Sequence, residues 1–264
     1  MSSTTYLLQS SPNFRDFGGY PTADGRRVRA RRLFRSELLL ELTPADLEQL
    51  ASLQIGLVCD LRSPAERARI GNQWPAGCTY EHLALDLGTE LSAVQPDRWS
   101  RKLADPDFDA EQAQAALRDN YRRMPAPFAR DLRELFVRLA RPDAPALLVH
   151  CAAGKDRTGF VVAMLLRALG VSDDVVMADY LETRRRYTLD RLIASRLHLT
   201  IDPARMGPRG REALAVLASV RADFLQAALD TVERDFGGSV QYLQQACGLT
   251  AQMQVSLRDA LLET

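Results

Sequence analysis

The sequence predicts an α/β fold: a central sheet layered by helices, with a helical carboxy-terminal half. Three observations carry that expectation. Two short apolar runs, LQIGLVCD at 53–60 and APALLVH at 144–150, end in a charged or special residue and have the length of buried strands. Helical segments lie before, between and after them, and strands interleaved with helices indicate a sheet covered by helices. Beyond residue 172 the pattern is helical to the end of the chain.

The elements follow in order. TPADLEQLASLQ has Thr43 as an N-cap and Pro44 at the first helical position. Residues 125–141 place Phe128, Leu132, Leu135, Phe136 and Leu139 on one helical face. RTGFVVAMLLRALG follows the second strand directly and closes at Gly170, a typical helix stop. SDDVVMADYLETRRR opens with Ser172 as an N-cap and two acids in the first turn. RADFLQAALDTVERDF aligns Phe224, Leu225, Ala228, Leu229, Val232 and Phe236, then stops at Gly237-Gly238. Two short helices, at about 239–247 and 251–262, finish the chain. Residues 201–210 read as a Pro- and Gly-rich loop, either an ordinary surface loop or the hinge of a helical flap.

Composition narrows the function. Of 264 residues 46% are hydrophobic, enough for one substantial core, and 34 basic residues balance 34 acidic ones. No overall field points toward nucleic acid or an anionic membrane. The most apolar run, from Gly159, is interrupted by Arg167 and is too short to span a bilayer. Four scattered cysteines without a Cys-x-x-Cys pair suggest neither a disulfide scaffold nor a zinc site, and His82 and His198 lack ligand-like spacing. The amino terminus lacks a secretory signal pattern, so a cytoplasmic protein is expected, with non-classical export allowed.

The chemistry concentrates in HCAAGKDRTG, residues 150–159. A strand ends at His150, a tight glycine-containing loop follows, and Thr158-Gly159 open a helix. Backbone N–H groups of such a loop converge at a helix N-terminus and suit a phosphate dianion. The expected cradle is Ala152, Ala153, Gly154, Lys155, Asp156, Arg157 and Thr158, with Arg157 clamping two phosphate oxygens. The same field favours the thiolate of Cys151 as nucleophile, and Thr158 could donate its hydroxyl to that sulfur. His150 is expected to bury its ring beneath the loop and bind backbone there.

This loop resembles that of cysteine-dependent phosphatases, and its Gly-Lys-Asp-Arg-Thr version resembles a bacterial tyrosine/serine phosphatase family. NFRDFGGY (13–20), LFRSELL (33–39), VCDLRSPAE (58–66), ADYLETRR (178–185) and the terminal GGSVQYLQQACGLT are similar to that family's landmarks, in its order. A cysteine-phosphatase-like sheet in a single domain over 1–264 is expected, with 187–235 as a candidate helical lid and 236–264 as a helical segment. The resemblance implies hydrolysis through a phosphocysteine intermediate without metal or cofactor. The implied substrates are phosphotyrosine, with extension to phosphoserine, phosphothreonine and phosphoinositides.

Ester cleavage needs an acid opposite the attacking sulfur. Trp74-Pro75 resembles the start of an acid loop, but Ala76 follows, so it is set aside. Asp60 ends its strand as His150 ends the other, and ligands gather at carboxyl strand ends. The resemblance points to Asp60 as well; its plain alternative is a turn or a salt bridge with Arg62. Asp156 is the rival. It would pair with its basic neighbours when the loop is empty and take up a proton beside a bound dianion. One of the two is the expected acid. Lys155, one of only two lysines, would suit a second substrate phosphate, as in phosphatases acting on phosphoinositides, or be a solvated rim residue. The arginine run at 26–35 reads as a solvent-facing hairpin or, alternatively, a basic rim drawing in acidic substrates. Two rivals remain: a phosphoinositide or inositol phosphate phosphatase on the same loop, and a phosphate-binding module without turnover.

Overall fold

In a computed structural model, which describes residues 7–85, 96–194 and 206–264, five strands form the central sheet. They are β1 (Arg15–Asp16), β3 (Leu33–Ser36), β4 (Ile55–Asp60), β5 (Glu81–Ala84) and β6 (Ala146–His150), in the order β1-β3-β6-β4-β5. Only β1 runs antiparallel to its neighbour. The register aligns three carboxyl ends, because Ser36 of β3 and Asp60 of β4 both lie opposite His150 of β6. Whatever follows these strands therefore collects at one edge.

Side-chain alternation divides the core into two layers. Leu57 and Cys59 of β4 join Leu147 and Val149 of β6 in the larger core, and Val58 joins Ala146 and Leu148 in the smaller one. An irregularity between Ile55 and Leu57 lets Ile55 share the face of Val58. Helix α1 (Pro44–Ser52) covers the smaller layer with Leu50. Thr43 and Asp46 form its capping box, satisfying two orphan N–H groups at its start. The short α2 (Pro64–Arg69) begins the same way, with Ser63 and Glu66.

The larger layer holds the remaining helices: α3 (Pro96–Ala104), α4 (Ala110–Arg123), α5 (Pro125–Leu139), α6 (Asp156–Leu169), α7 (Asp173–Arg186), α8 (Leu189–Ala194), α9 (Pro208–Ala218) and α10 (Ala222–Phe236). A short α11 (Ser239–Gln241) runs into a π-helical turn, Tyr242–Ala246, and α12 (Ala251–Leu261) follows. Gly170 ends α6 in the left-handed conformation, φ 88°, which costs glycine least. All five apolar positions anticipated on α5 are buried. Among the described residues no helix is long and apolar enough to cross a membrane.

Several expectations need correction. Ser172 has the backbone of an N-cap, but its side chain makes no capping bond. Residues 208–210 belong to α9 rather than to a loop, while 195–205 lie outside the described residues. The arginine run at 26–35 is not a surface hairpin. Its β2 (Arg27–Val28) pairs with β7 (Leu262–Glu263) at the chain's end, and its second half enters the central sheet. Its exposed arginines act as staples: Arg29 donates to the Leu262 carbonyl and Arg31 to that of Ser52. Within the segment anticipated as a lid, α10 buries Phe224, Leu225, Ala228 and Val232 in the larger core.

Candidate active site

β6 delivers the chain into the 151–155 loop at the level of the other strand ends, and α6 departs from it at Asp156. The loop turns because its carbonyls are gathered from behind. The Leu38 N–H donates to the Ala152 carbonyl at 2.9 Å. Asn13 Nδ2 donates to the carbonyls of Ala153 and Gly154, both at 3.1 Å, and Arg35 Nη2 reaches the Gly154 carbonyl at 3.0 Å. His150 Nδ1 donates to the Cys151 carbonyl at 3.1 Å. Gly154 is required here: its φ is +66°, and a Cβ would stand 2.3 Å from the Ser36 carbonyl oxygen.

With those carbonyls tied back, the N–H groups of residues 152–158 are left as the loop's donors. Among the described residues none of them donates to a protein acceptor. They sit at the N-terminus of the 14-residue α6, whose dipole adds partial positive charge. Cys151 lies in the same turn, a free thiol only 3% exposed.

Arg157 is held in one specific way. Glu66 accepts from Nη1 and Nη2, both at 2.8 Å, and the Leu61 carbonyl accepts from Nη1 at 3.0 Å. Of five guanidinium N–H groups, those three contacts leave Nε–H and one Nη2–H. They form the side-on fork that matches two oxygens of a phosphate or carboxylate. Burial alone would push the Glu66 carboxyl up, but Arg157 holds it below the usual value of 4.5. Burial likewise disfavours the Arg157 charge, and Glu66 more than restores it.

A second buried group lies behind the loop. Asp179 of α7 accepts from Arg35 Nη1 at 2.6 Å and from Arg15 Nε at 3.3 Å. Arg15 Nη1 in turn donates to Asn13 Oδ1 at 2.6 Å, which aims the Asn13 amide at the loop. Burial and the neighbouring Arg35 push Arg15 down to about 10, so it remains charged at neutral pH. Burial opposes the Asp179 charge, but the arginines hold its carboxyl below the usual 3.8. Two cations and one anion leave net positive charge beneath the cradle.

The candidate acids differ. Asp60 is fully buried, and Arg62 binds it three times, through the backbone N–H at 3.0 Å, Nε at 2.9 Å and Nη2 at 2.7 Å. Burial penalises its charge, yet His150 and Arg62 together outweigh that and hold the carboxyl well below the usual range. His150 is fully buried and burial pushes its imidazole down, so the ring is neutral with its proton on Nδ1. Its Nε2 accepts from Asn72 Nδ2 at 2.9 Å, an amide oriented by the Leu39 N–H on its oxygen. Asp156 opens α6, and its side chain is 13% exposed. Tyr121 donates to its Oδ1 at 2.7 Å, and Lys155 Nζ lies 3.0 Å from its Oδ2.

Two expected contacts are not made. Thr158 Oγ1 is buried without a hydrogen-bond partner, so its bond to the Cys151 sulfur is absent. Lys155 neither stands on the rim nor reaches outward for a second phosphate. Its ammonium is buried and donates to the carbonyls of Leu217 at 2.9 Å and Ser219 at 3.2 Å, where α9 ends. A cation there satisfies orphan carbonyls and the helix dipole.

Sequence reasoning missed the supporting ring: Asn13, Arg15, Glu66, Tyr121, Asp179 and Tyr180. The Ser-x-x-Glu spacing of Ser63 and Glu66 announces a capping box, yet nothing local shows that Glu66 also grips an arginine 91 residues away.

Comparison with known proteins agrees with this geometry. The description "Tyrosine phosphatase family" matches residues 6–263. A Cupriavidus necator protein, provisionally named a tyrosine-protein phosphatase, is 35% identical over 89% of this chain and 81% of its own. The triple specificity protein phosphatase PtpB of Mycobacterium tuberculosis is 33% identical over 97% of this chain and 98% of its own. A Nostoc commune tyrosine-protein phosphatase is 29% identical over 61% of this chain and 51% of its own. A helix-opening loop with its carbonyls tied back, matched along nearly the whole chain by proteins of one kind, places this chain in the tyrosine phosphatase family.

Proposed function

We propose that the chain hydrolyses phosphotyrosine, and phosphoserine or phosphothreonine as well, through a phosphocysteine intermediate. The observation that carries this reading is the division of donors in the loop. Carbonyls are bound behind it, while seven backbone N–H groups and the side-on fork of Arg157 remain for the ligand. Donors fixed in advance stabilise charge that develops on equatorial phosphoryl oxygens without reorganising during the reaction. The Cys151 thiolate attacks phosphorus, an S–P bond forms, and the ester O–P bond breaks.

Asp156 supplies the proton to the departing oxygen. Asp60 is fully buried beneath Arg62, out of reach of a substrate, whereas Asp156 is partly exposed on the open loop. Asp156 then accepts a proton from the water that attacks phosphorus, the S–P bond breaks, and inorganic phosphate leaves with the thiolate restored. The PtpB relative is named for triple specificity, which supports more than one class of phosphorylated residue. With Lys155 spent on the end of α9, a phosphoinositide preference loses its anchor.

The test is phosphate release from phosphotyrosine, phosphoserine and phosphothreonine peptides and phosphoinositides, with chelator present. Turnover that disappears in Cys151→Ser, and a Cys151 peptide heavier by one phosphoryl group after rapid acid quench, is the expected result. Faster turnover of phosphoinositides than of peptides would replace the protein substrate with a lipid one. Binding without turnover on any substrate would reduce the chain to a phosphate-binding module.

A further inference from the structure

A two-tyrosine chain runs from the core to Asp156. Tyr121 of α4 is fully buried, and its hydroxyl donates to Asp156 Oδ1 at 2.7 Å. Tyr180 of α7 is 1% exposed, and its hydroxyl lies 2.7 Å from that of Tyr121. Because Tyr121 gives its proton to the carboxylate, it accepts from Tyr180.

Packing fixes both rings. Tyr121 stacks on Phe224 at 5.9 Å and meets Tyr180 edge-on at 6.2 Å. Tyr180 lies so close to α6 that a Cβ on Gly159 would stand 2.7 Å from its Cδ2. That contact accounts for the glycine after Thr158, which phosphate chemistry does not require. Burial, with the Asp156 charge beside them, pushes both phenols well above their usual 10, so they stay protonated donors.

We propose that Tyr121, steadied by Tyr180, is a positioning residue that fixes the Asp156 carboxyl for proton transfer, and that the pair sets how well poor leaving groups are expelled. The inference rests on Asp156 being the acid. A good leaving group departs as the anion and needs no proton; a poor one, such as phenol or the alkyl oxygen of serine, does. Loosening the acid therefore slows poor leaving groups selectively. A pair that only supported the fold would slow all substrates alike.

The experiment measures kcat and KM for aryl phosphates graded from p-nitrophenyl to unsubstituted phenyl, with wild type, Tyr121→Phe, Tyr180→Phe and Asp156→Asn. Both Phe variants keep the ring and its packing. Expected is a roughly tenfold loss of kcat for phenyl phosphate in Tyr121→Phe, little change for p-nitrophenyl phosphate, and unchanged KM. Tyr180→Phe shifts the same way by less and serves alone if Tyr121→Phe does not fold. An equal loss across the series, or none, overturns the inference. If Asp156→Asn shows the graded loss and the tyrosine variants do not, the inference alone falls. If Asp156→Asn shows no grading, the reading of Asp156 as the acid falls and takes the inference with it.

Discussion

The loops after β4 and β6 leave neighbouring strands at the same height, Asp60 opposite His150, yet they have opposite hydrogen-bond economies. After β4 the chain closes on itself: Asp60 is saturated by Arg62, and Glu66 is spent between its own helix cap and Arg157. After β6 the chain stays open, with its carbonyls tied back, its N–H groups unspent and Asp156 partly exposed. Arrival at the carboxyl edge of a sheet does not by itself make a carboxylate reactive. In the proposed reaction the saturated loop holds the machinery in place, and the unsaturated one meets the substrate.

Substitutions can break this contrast. The largest effect is expected in the open loop: Cys151→Ser lowers kcat by roughly 10³-fold or more, read as phosphate release. Next is the direct comparison of the two carboxylates. Asp156→Asn lowers kcat by roughly 10²–10³-fold while the unfolding midpoint moves little. Asp60→Asn leaves Arg62 buried without its counter-charge and costs about 3–5 kcal/mol of stability, while kcat of the folded fraction stays near wild type. The reverse pattern, with Asp60→Asn dead and fully stable, would exchange the roles of the two loops.

Smaller effects sharpen the contrast. Glu66→Gln loosens the end-on grip on Arg157 and raises KM and the inhibition constant for inorganic phosphate by roughly tenfold, with kcat less affected. The smallest effect is in acid. Glu66 and Asp179 have carboxyls held below their usual 4.5 and 3.8, so each stabilises the fold above those values. That contribution is lost as pH falls through the lowered values. Denaturant unfolding across that range should show wild type losing stability more steeply than Glu66→Gln.

Much of the site was legible because its chemistry is local. The His-Cys loop, the arginine six residues on and the helix that opens there lie within one stretch, and turn and helix rules act over such distances. The segments singled out as family landmarks contain the ring behind the loop: Asn13 and Arg15, Arg35, Glu66, and Asp179 with Tyr180. Their presence was readable, but their roles were not, because each acts on a residue distant in sequence. Lys155 shows the limit most clearly. A lone lysine in a phosphate loop suggests a substrate contact, but α9 supplies carbonyls that no local rule places there.

The sequence alone determined the two central strands, the helix stops and the candidate nucleophile with its arginine, since periodicity, capping and loop chemistry depend on near neighbours. Only the tertiary structure decided which carboxylate is sealed and which is open. A carboxyl's charge state follows from its burial and from the cations within a few ångströms. The pairing of Asp60 with Arg62, two residues on, was open to the sequence; folding alone buries that pair and sets Tyr121, from 35 residues away, on Asp156.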